Sequence, residues 1–248
     1  MSQDFADQTA LVTGSTSGIG RTVAEQLAAR GAHVIVSGRD KSRGDSVVAK
    51  IRDTGGQADF LAADLDSIDA VRTLAAASTD LSGHVDVLVN NAGLFPFGPT
   101  PQMAVDEFDA VFDVNVRAPY FLVAELAPRM VEHGGGAIVN VSTMVANFGQ
   151  AGMSLYGASK AAIQLLTKAW AAEFGPLGVR VNAVSPGPTG TEGTASMQEL
   201  LSQMAAVLPS RRVGTPADVA NAIVFLASPA ADQIHGAILP VDGGRTAT

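Results

Sequence analysis

Along the chain, apolar residues gather in short, nearly unbroken runs separated by longer stretches in which they recur every three or four positions. The short runs fall at residues 9–13, 32–37, 58–63, 86–89, 136–143, 179–184 and 237–240. Each is too brief for a stable helix and too uniformly apolar for a strand with one wet face, so each predicts a strand buried on both sides. Between them lie helical stretches at 21–30, 41–54, the residues up to about 80, 103–131, the run following Tyr156, and 216 to about 227. Gly31 stands where the first of these should stop, and Pro216 where the last should start. Strand and helix alternate throughout, with no linker or repeat. The pattern predicts an α/β fold: a doubly wound, seven-stranded parallel sheet with helices on both faces, one unit over residues 1–248.

Composition agrees and removes several alternatives. Apolar residues make up 47% of the 248 positions and charged residues only 16%, a balance that suits a large two-sided core. The net charge of -8 repels phosphate backbones and argues against nucleic acid as a partner. Cysteine is absent, so disulfides, thiolate catalysis and cysteine-based zinc sites are excluded. His33, His84, His133 and His235 are scattered without metal-ligand spacing, and no metal is expected. No basic-then-apolar leader opens the chain and no run of about 18 apolar residues could span a bilayer. The expectation is a soluble, cytoplasmic protein with no membrane partner.

The first strand ends abruptly in Gly14-Ser15-Thr16-Ser17-Gly18-Ile19-Gly20 and a helix follows at once. A glycine turn feeding a helix N-terminus offers free N–H groups and a positive dipole end to a pyrophosphate, the signature of a single-domain Rossmann fold. A plain glycine-rich turn would have the same appearance. The second strand closes at Gly38-Arg39-Asp40. NAD-selective folds of this kind keep an acid at that strand end to grip ribose hydroxyls. Here Gly38 holds the place and Arg39 adjoins it, a guanidinium shaped for a 2′-phosphate, which favours NADP(H) and leaves NAD(H) open.

Further along, Asn90-Asn91-Ala92-Gly93 follows the fourth strand, either as an ordinary Asn turn or as a clasp for the central strands. Asn115 sits among Val111, Phe112, Val114 and Val116, a helix-unfriendly residue in an apolar patch, with Pro119 one turn later able to kink the helix. Tyr156 and Lys160 lie four residues apart, so one helix presents both on one face. A neighbouring ammonium would lower a tyrosine pKa from its usual ~10 towards useful acid–base work. The plain alternative is a helix with one buried Tyr and one exposed Lys. The loop at 185–191 carries two prolines and two glycines, and residues 192–210, with Met197, Leu200, Leu201, Met204 and Leu208, suit a mobile apolar lid over a substrate or a piece of core.

Taken in order, Thr13-Gly14-x3-Gly18-Ile19-Gly20, Asn90-Asn91-Ala92-Gly93, Asn115, Tyr156-x3-Lys160 and Pro186-Gly187 resemble the short-chain dehydrogenase/reductase family over essentially the whole chain. The resemblance implies that Gly14, Ser15, Ser17, Gly18, Ile19 and Gly20 line the pyrophosphate and ribose of the cofactor, with Arg39 at the adenosine phosphate. It places Asp64 and Leu65 beside the adenine, and Asn91, Ala92 and Gly93 at the adjoining ribose. Pro186, Gly187, Thr189 and Thr191 would hold the carboxamide and pyrophosphate side. Tyr156 would carry the proton, Lys160 would hold the nicotinamide ribose and depress the tyrosine, and Asn115 would anchor a water leading from Lys160 to solvent. One departure stands out: the family's usual Ser thirteen positions before the Tyr is Thr143 here, with Ser142 one place earlier as the other candidate. A threonine hydroxyl can donate the same hydrogen bond.

The reaction so implied is reversible hydride transfer between NADP(H) and a carbonyl or secondary alcohol. Leu94, Phe95, Phe97, Met144, Val145, Phe148, Met153 and Leu155 suggest a hydrophobic small-molecule substrate. The rival substrate class is a 3-oxoacyl group on an acyl carrier protein, against which stands the lack of a basic cluster around residues 132–134 and 174–178. A nucleotide-binding regulator without turnover is the rival of another kind; it predicts loss of Tyr156, Lys160 or Asn115, and all three are present. The family resemblance also implies a homotetramer or homodimer.

Overall fold

The computed structural model describes residues 3–248, and its seven strands form one parallel sheet. Strands β1 (Thr9–Thr13), β2 (His33–Gly38), β3 (Gln57–Ala62), β4 (Val87–Asn90), β5 (Gly136–Val141), β6 (Val179–Pro186) and β7 (Ile238–Val241) lie in the order β3-β2-β1-β4-β5-β6-β7. Period-two alternation explains why their sequences look apolar throughout. Ala10, Val12, Val34, Val36, Val87, Val89, Val139 and Val141 face one core, while Leu11, Ile35, Leu88 and Ile138 face the other.

Helices α1 (Gly18–Ala29), α2 (Lys41–Asp53) and α3 (Ile68–Ser82) follow the first three strands. Next come α4 (Val105–Phe112), α5 (Ala118–Glu132), α6 (Ser154–Phe174), α7 (Gln198–Ala206) and α8 (Pro216–Ala227). The first core takes Val23 and Leu27 of α1, Val47 and Ile51 of α2, and Ile223 and Val224 of α8. The second takes Val71 and Leu74 of α3, Leu122, Leu126 and Met130 of α5, and Trp170 of α6. Every crossover thus covers one face or the other, as parallel pairing requires.

The stretch 103–131 departs from its expected form as a single helix. It is two α-helices joined by a π-turn at Asp113–Arg117, with Asn115 fully buried inside it. Pro119 lies just beyond, where its missing N–H cannot return a helical hydrogen bond, so the irregularity falls where the proline predicts a kink. The expected 192–210 segment is a short 3-10 turn (Glu192–Met197) followed by α7, with Leu201, Ala205 and Leu208 buried.

The order of strands reverses between β1 and β4. Their carboxyl ends therefore send chain in opposite directions and leave a crevice, where folds of this type bind ligands.

Candidate active site

The crevice is a cleft of about 850 Å³. At one end it is lined by Gly14, Thr16, Ser17, Gly18 and Ile19 from the turn between β1 and α1, with Arg39 and Arg43 beside them. Asp64, Leu65, Asn91, Ala92 and Gly93 form its middle. Thr143, Tyr156 and Lys160 stand at its floor, facing Pro186, Gly187, Thr189 and Thr191. Beyond them the wall is apolar: Phe95, Phe97, Met144, Val145, Met153 and Met204. Nearly all the residues expected from the sequence are brought together.

Three of the expected catalytic and cofactor residues do not line the cleft: Ser15, Gly20 and Asn115. Ser15 is fully buried, donating to the Val12 carbonyl at 2.6 Å and accepting from the Ser37 N–H at 2.9 Å, which ties β1 to β2. Gly20 is also buried, and a Cβ there would come within 2.4 Å of Asn91 Nδ2 and of the Gly14 carbonyl. Ser15 and Gly20, expected beside a cofactor, set the shape of the turn in this structure. Asn91 explains the constraint, because its Nδ2 donates to the carbonyls of Thr13 and Gly14 at 2.9 and 3.0 Å. Thr13 Oγ1 accepts from the N–H groups of Asn91 and Ala92, both at 3.1 Å, closing a clasp between β1 and β4.

Asn115 sits behind the floor. Its Oδ1 accepts from the Leu94 N–H, and its Nδ2 donates to the Leu94 carbonyl, both at 2.8 Å. The same Nδ2 donates to Ser159 Oγ at 3.0 Å. The side chain is fully occupied in pinning the loop after β4 to α6. Gly93 completes the packing, since a Cβ there would stand 3.2 Å from Lys160 Nζ and 3.3 Å from Asn115 Oδ1.

Helix α6 presents Tyr156 and Lys160 on one face, as their spacing requires. Lys160 is buried and its Nζ donates to the Val141 carbonyl at 2.8 Å. Burial pulls its pKa down to about 8. Tyr156 is pushed above its ordinary value, chiefly by burial, against the opposing pull of the Thr143 side chain that faces its hydroxyl. The expected depression of the tyrosine by Lys160 does not appear: burial raises its pKa and the Thr143 side chain alone opposes. Thr143 and Ser142 point apart. Ser142 also lines the cleft, but its Oγ donates to the Lys160 carbonyl at 3.2 Å and accepts from Gln164 Nε2 at 3.1 Å, so its hydroxyl is engaged with α6.

Several residues at the site escape sequence inspection. Arg43, in the first turn of α2, lines the cleft together with Arg39. Asp40, the acid that follows Arg39, is the cap of α2: its carboxylate accepts from the Arg43 N–H at 3.0 Å and pairs with Arg43 Nε at 3.1 Å. Glu192 places its carboxylate on the first turn of α1. The loop after β6 is held from an unexpected quarter too, with the Gly187 N–H donating to the Val241 carbonyl at 3.1 Å. Asp242 beside it accepts from the Gly244 and Thr246 N–H groups and from Thr246 Oγ1, at 2.9, 2.9 and 2.6 Å. Among the described residues no cluster of His, Asp and Glu could hold a metal ion, and no helix is long and apolar enough to cross a membrane.

Comparison with known proteins gives this arrangement a lineage. A family model described as Enoyl-(Acyl carrier protein) reductase matches residues 14–246. A solved structure titled as a short chain dehydrogenase/reductase family protein is 49% identical, covers 99% of this chain and 100% of its own, and superposes with a TM-score of 0.91. The chain belongs to the short-chain dehydrogenase/reductase family. Among curated members, a cis-4-hydroxycyclohexanecarboxylate dehydrogenase of Sinomonas cyclohexanicum is 39% identical over the full length of both chains. A solved member from Beutenbergia cavernae, titled as a candidate NAD(P)-dependent gluconate 5-dehydrogenase with NADP at low occupancy, is 37% identical with a TM-score of 0.94 and complete coverage of both chains. As a short-chain dehydrogenase/reductase, the protein is an oxidoreductase acting on CH–OH groups with a nicotinamide cofactor.

Proposed function

We propose that the protein interconverts an apolar ketone and its secondary alcohol with NADP(H), using Tyr156 as the proton carrier. One observation carries this reading: the hydroxyls of Tyr156 and Thr143 face each other beside Lys160, between a nucleotide-shaped turn and an apolar wall. The bound cofactor supplies the hydride donor or acceptor. The chain's part is position and proton. In reduction, Tyr156 and Thr143 both donate to the carbonyl oxygen, and Tyr156 passes its proton as negative charge develops there. Burial raises the Tyr156 pKa, which suits this direction. Lys160 uses one N–H on Val141 and has two left for a ribose. The Asn115 main-chain carbonyl is the anchor for the water that reprotonates Lys160.

The turn fits a dinucleotide because α1 begins in it and Gly14, Gly18 and Gly93 leave its floor without side chains. Arg39 and Arg43 are the cations for a 2′-phosphate, and an Asp40 already occupied with capping supports NADP(H) over NAD(H). Met153, Met204 and the two phenylalanines favour an apolar substrate, with residues 192–206 as its lid. The exposed Tyr120 and Leu165 of α5 and α6 support assembly into a homotetramer through those helices. A second reading, reduction of a 3-oxoacyl thioester, rests on a solved structure titled as a candidate betaketoacyl-ACP reductase, 48% identical over 98% of this chain with a TM-score of 0.90.

The test is titration with NADPH and NADH, then turnover on a panel of cyclic and aromatic ketones with a 3-oxoacyl thioester beside them. NADPH oxidation by ketones that disappears in Tyr156→Phe is expected. Preference for NADH would overturn the role of the arginines. Turnover confined to the thioester would select the second reading.

A further inference from the structure

Glu192 begins the strap that leads from the β6 loop into α7, and its carboxylate crosses to the opposite wall of the cleft. Oε2 accepts from the Gly18 N–H at 2.9 Å, and Oε1 lies 2.7 Å from Arg21 Nη2. Ser17, the residue that should cap α1, makes no side-chain cap bond. The helix terminus takes its anion instead from a residue 174 positions away. Such a carboxylate gains from the unpaired N–H groups and the positive end of the helix. Its pKa lies below the usual carboxylate range, first through its own backbone N–H, with Gly18 and Arg21 adding to the pull, so it is an anion at neutral pH. The contact is more than one hydrogen bond, because Thr191 also packs against Gly18, 3.4 Å from where a Cβ would stand.

This step rests on the reading that a dinucleotide seats its pyrophosphate at α1. A pyrophosphate seeks the same N–H groups and the same guanidinium, and two anions cannot share them at hydrogen-bonding distance without strong repulsion. We propose that Glu192 is a resident competitor for the pyrophosphate seat, whose carboxylate must leave Gly18 and Arg21 before the dinucleotide can bind. It thereby sets cofactor affinity and ties cofactor entry to movement of the strap. Arg21 passes from carboxylate to phosphate in the exchange. The Glu192 side chain is 49% exposed, so it has solvent to turn into. Release of the strap shifts Met197, Leu200, Leu201 and Met204, which line the substrate end.

The experiment is fluorescence titration of wild type, Glu192→Gln and Glu192→Ala with NADPH, and beside it with adenosine 2′-monophosphate, which has no pyrophosphate. The dissociation constant for NADPH is expected to fall at least fivefold in both variants, and that for the fragment to stay within twofold. Unchanged or weaker NADPH binding in the variants would overturn the proposal. Equal gains for both ligands would do so too, because they would report general charge removal and not competition at α1. If wild type bound neither NADPH nor NADH, the cofactor assignment itself would fall and take this proposal with it. Wild-type binding with indifferent variants would sink the competitor alone. The position is exposed, and thermal unfolding of the variants checks that the fold is kept.

Discussion

Burial acts on Tyr156 and Lys160 in the same sense, disfavouring charge on both, yet leaves them with different protons to exchange. The Tyr156 pKa is raised above its ordinary value, whereas that of Lys160 falls to about 8 from 10.5. The unfolded chain then holds the lysine proton more tightly than the folded one, so Lys160 costs stability below pH 8 and the cost fades as pH rises towards 10.5. Urea unfolding of wild type and Lys160→Met from pH 7 to 10 should show the gap moving in favour of wild type by on the order of 2 kcal/mol. A constant gap would mean an ordinary lysine. Tyr156→Phe removes the proton but not the cavity, and turnover should drop ~10²–10⁴-fold with NADPH affinity nearly intact. Thr143→Ser should retain most activity, while Thr143→Val should lose about 10²-fold or more in kcat. Ser142→Ala, cutting bonds to Lys160 and Gln164 only, should leave kcat within a few-fold. A reversed ranking in steady-state kinetics would exchange the roles of the two hydroxyls.

Among the elements, the π-turn at Asp113–Arg117 carries the most consequence for the site. Asn115 serves two elements from it, so Asn115→Ala leaves the buried N–H and carbonyl of Leu94 without partners. Equilibrium unfolding should record a loss of about 2–4 kcal/mol. The strands, both helical layers and the face shared by Tyr156 and Lys160 were legible in the sequence, because period and spacing are local properties. The π-turn was half legible: Pro119 announced an irregularity but not its form. The packing roles of Ser15 and Gly20 were not legible, because a turn's glycines and hydroxyls look alike in sequence whether they meet a ligand or another turn, and the bonds to Ser37 and the Asn91 clasp are long-range. Arg43 was overlooked because α2 reads as a polar surface helix, and Glu192 because its partner Gly18 lies far away in sequence. Long-range pairing of exposed charges leaves no periodic trace.

At the scale of the whole molecule, strand reversal makes the crevice, and the two cores on either side hold its walls apart. Leu88 lies at zero exposure in the central strand. Leu88→Ala should cost about 2–5 kcal/mol in chemical denaturation, against under 1 kcal/mol for a surface change such as Leu200→Ala. Assembly is testable at the same scale: light scattering should give four copies, and Leu165→Asp should shift the mass downward. The clasp of Gly187 on Val241, with Asp242 folding Thr246 back beneath it, has a consequence for how the protein is made. The loop after β6, proposed above to hold the cofactor, rests on residues 238–246, and Val241 leaves the ribosome 54 positions after the Gly187 it supports (241 − 187). Most of the sheet can assemble while synthesis continues, but the cofactor loop stays without its support until those residues have emerged. A nascent chain halted before residue 238 should therefore hold most of its sheet and no tight grip on a nucleotide.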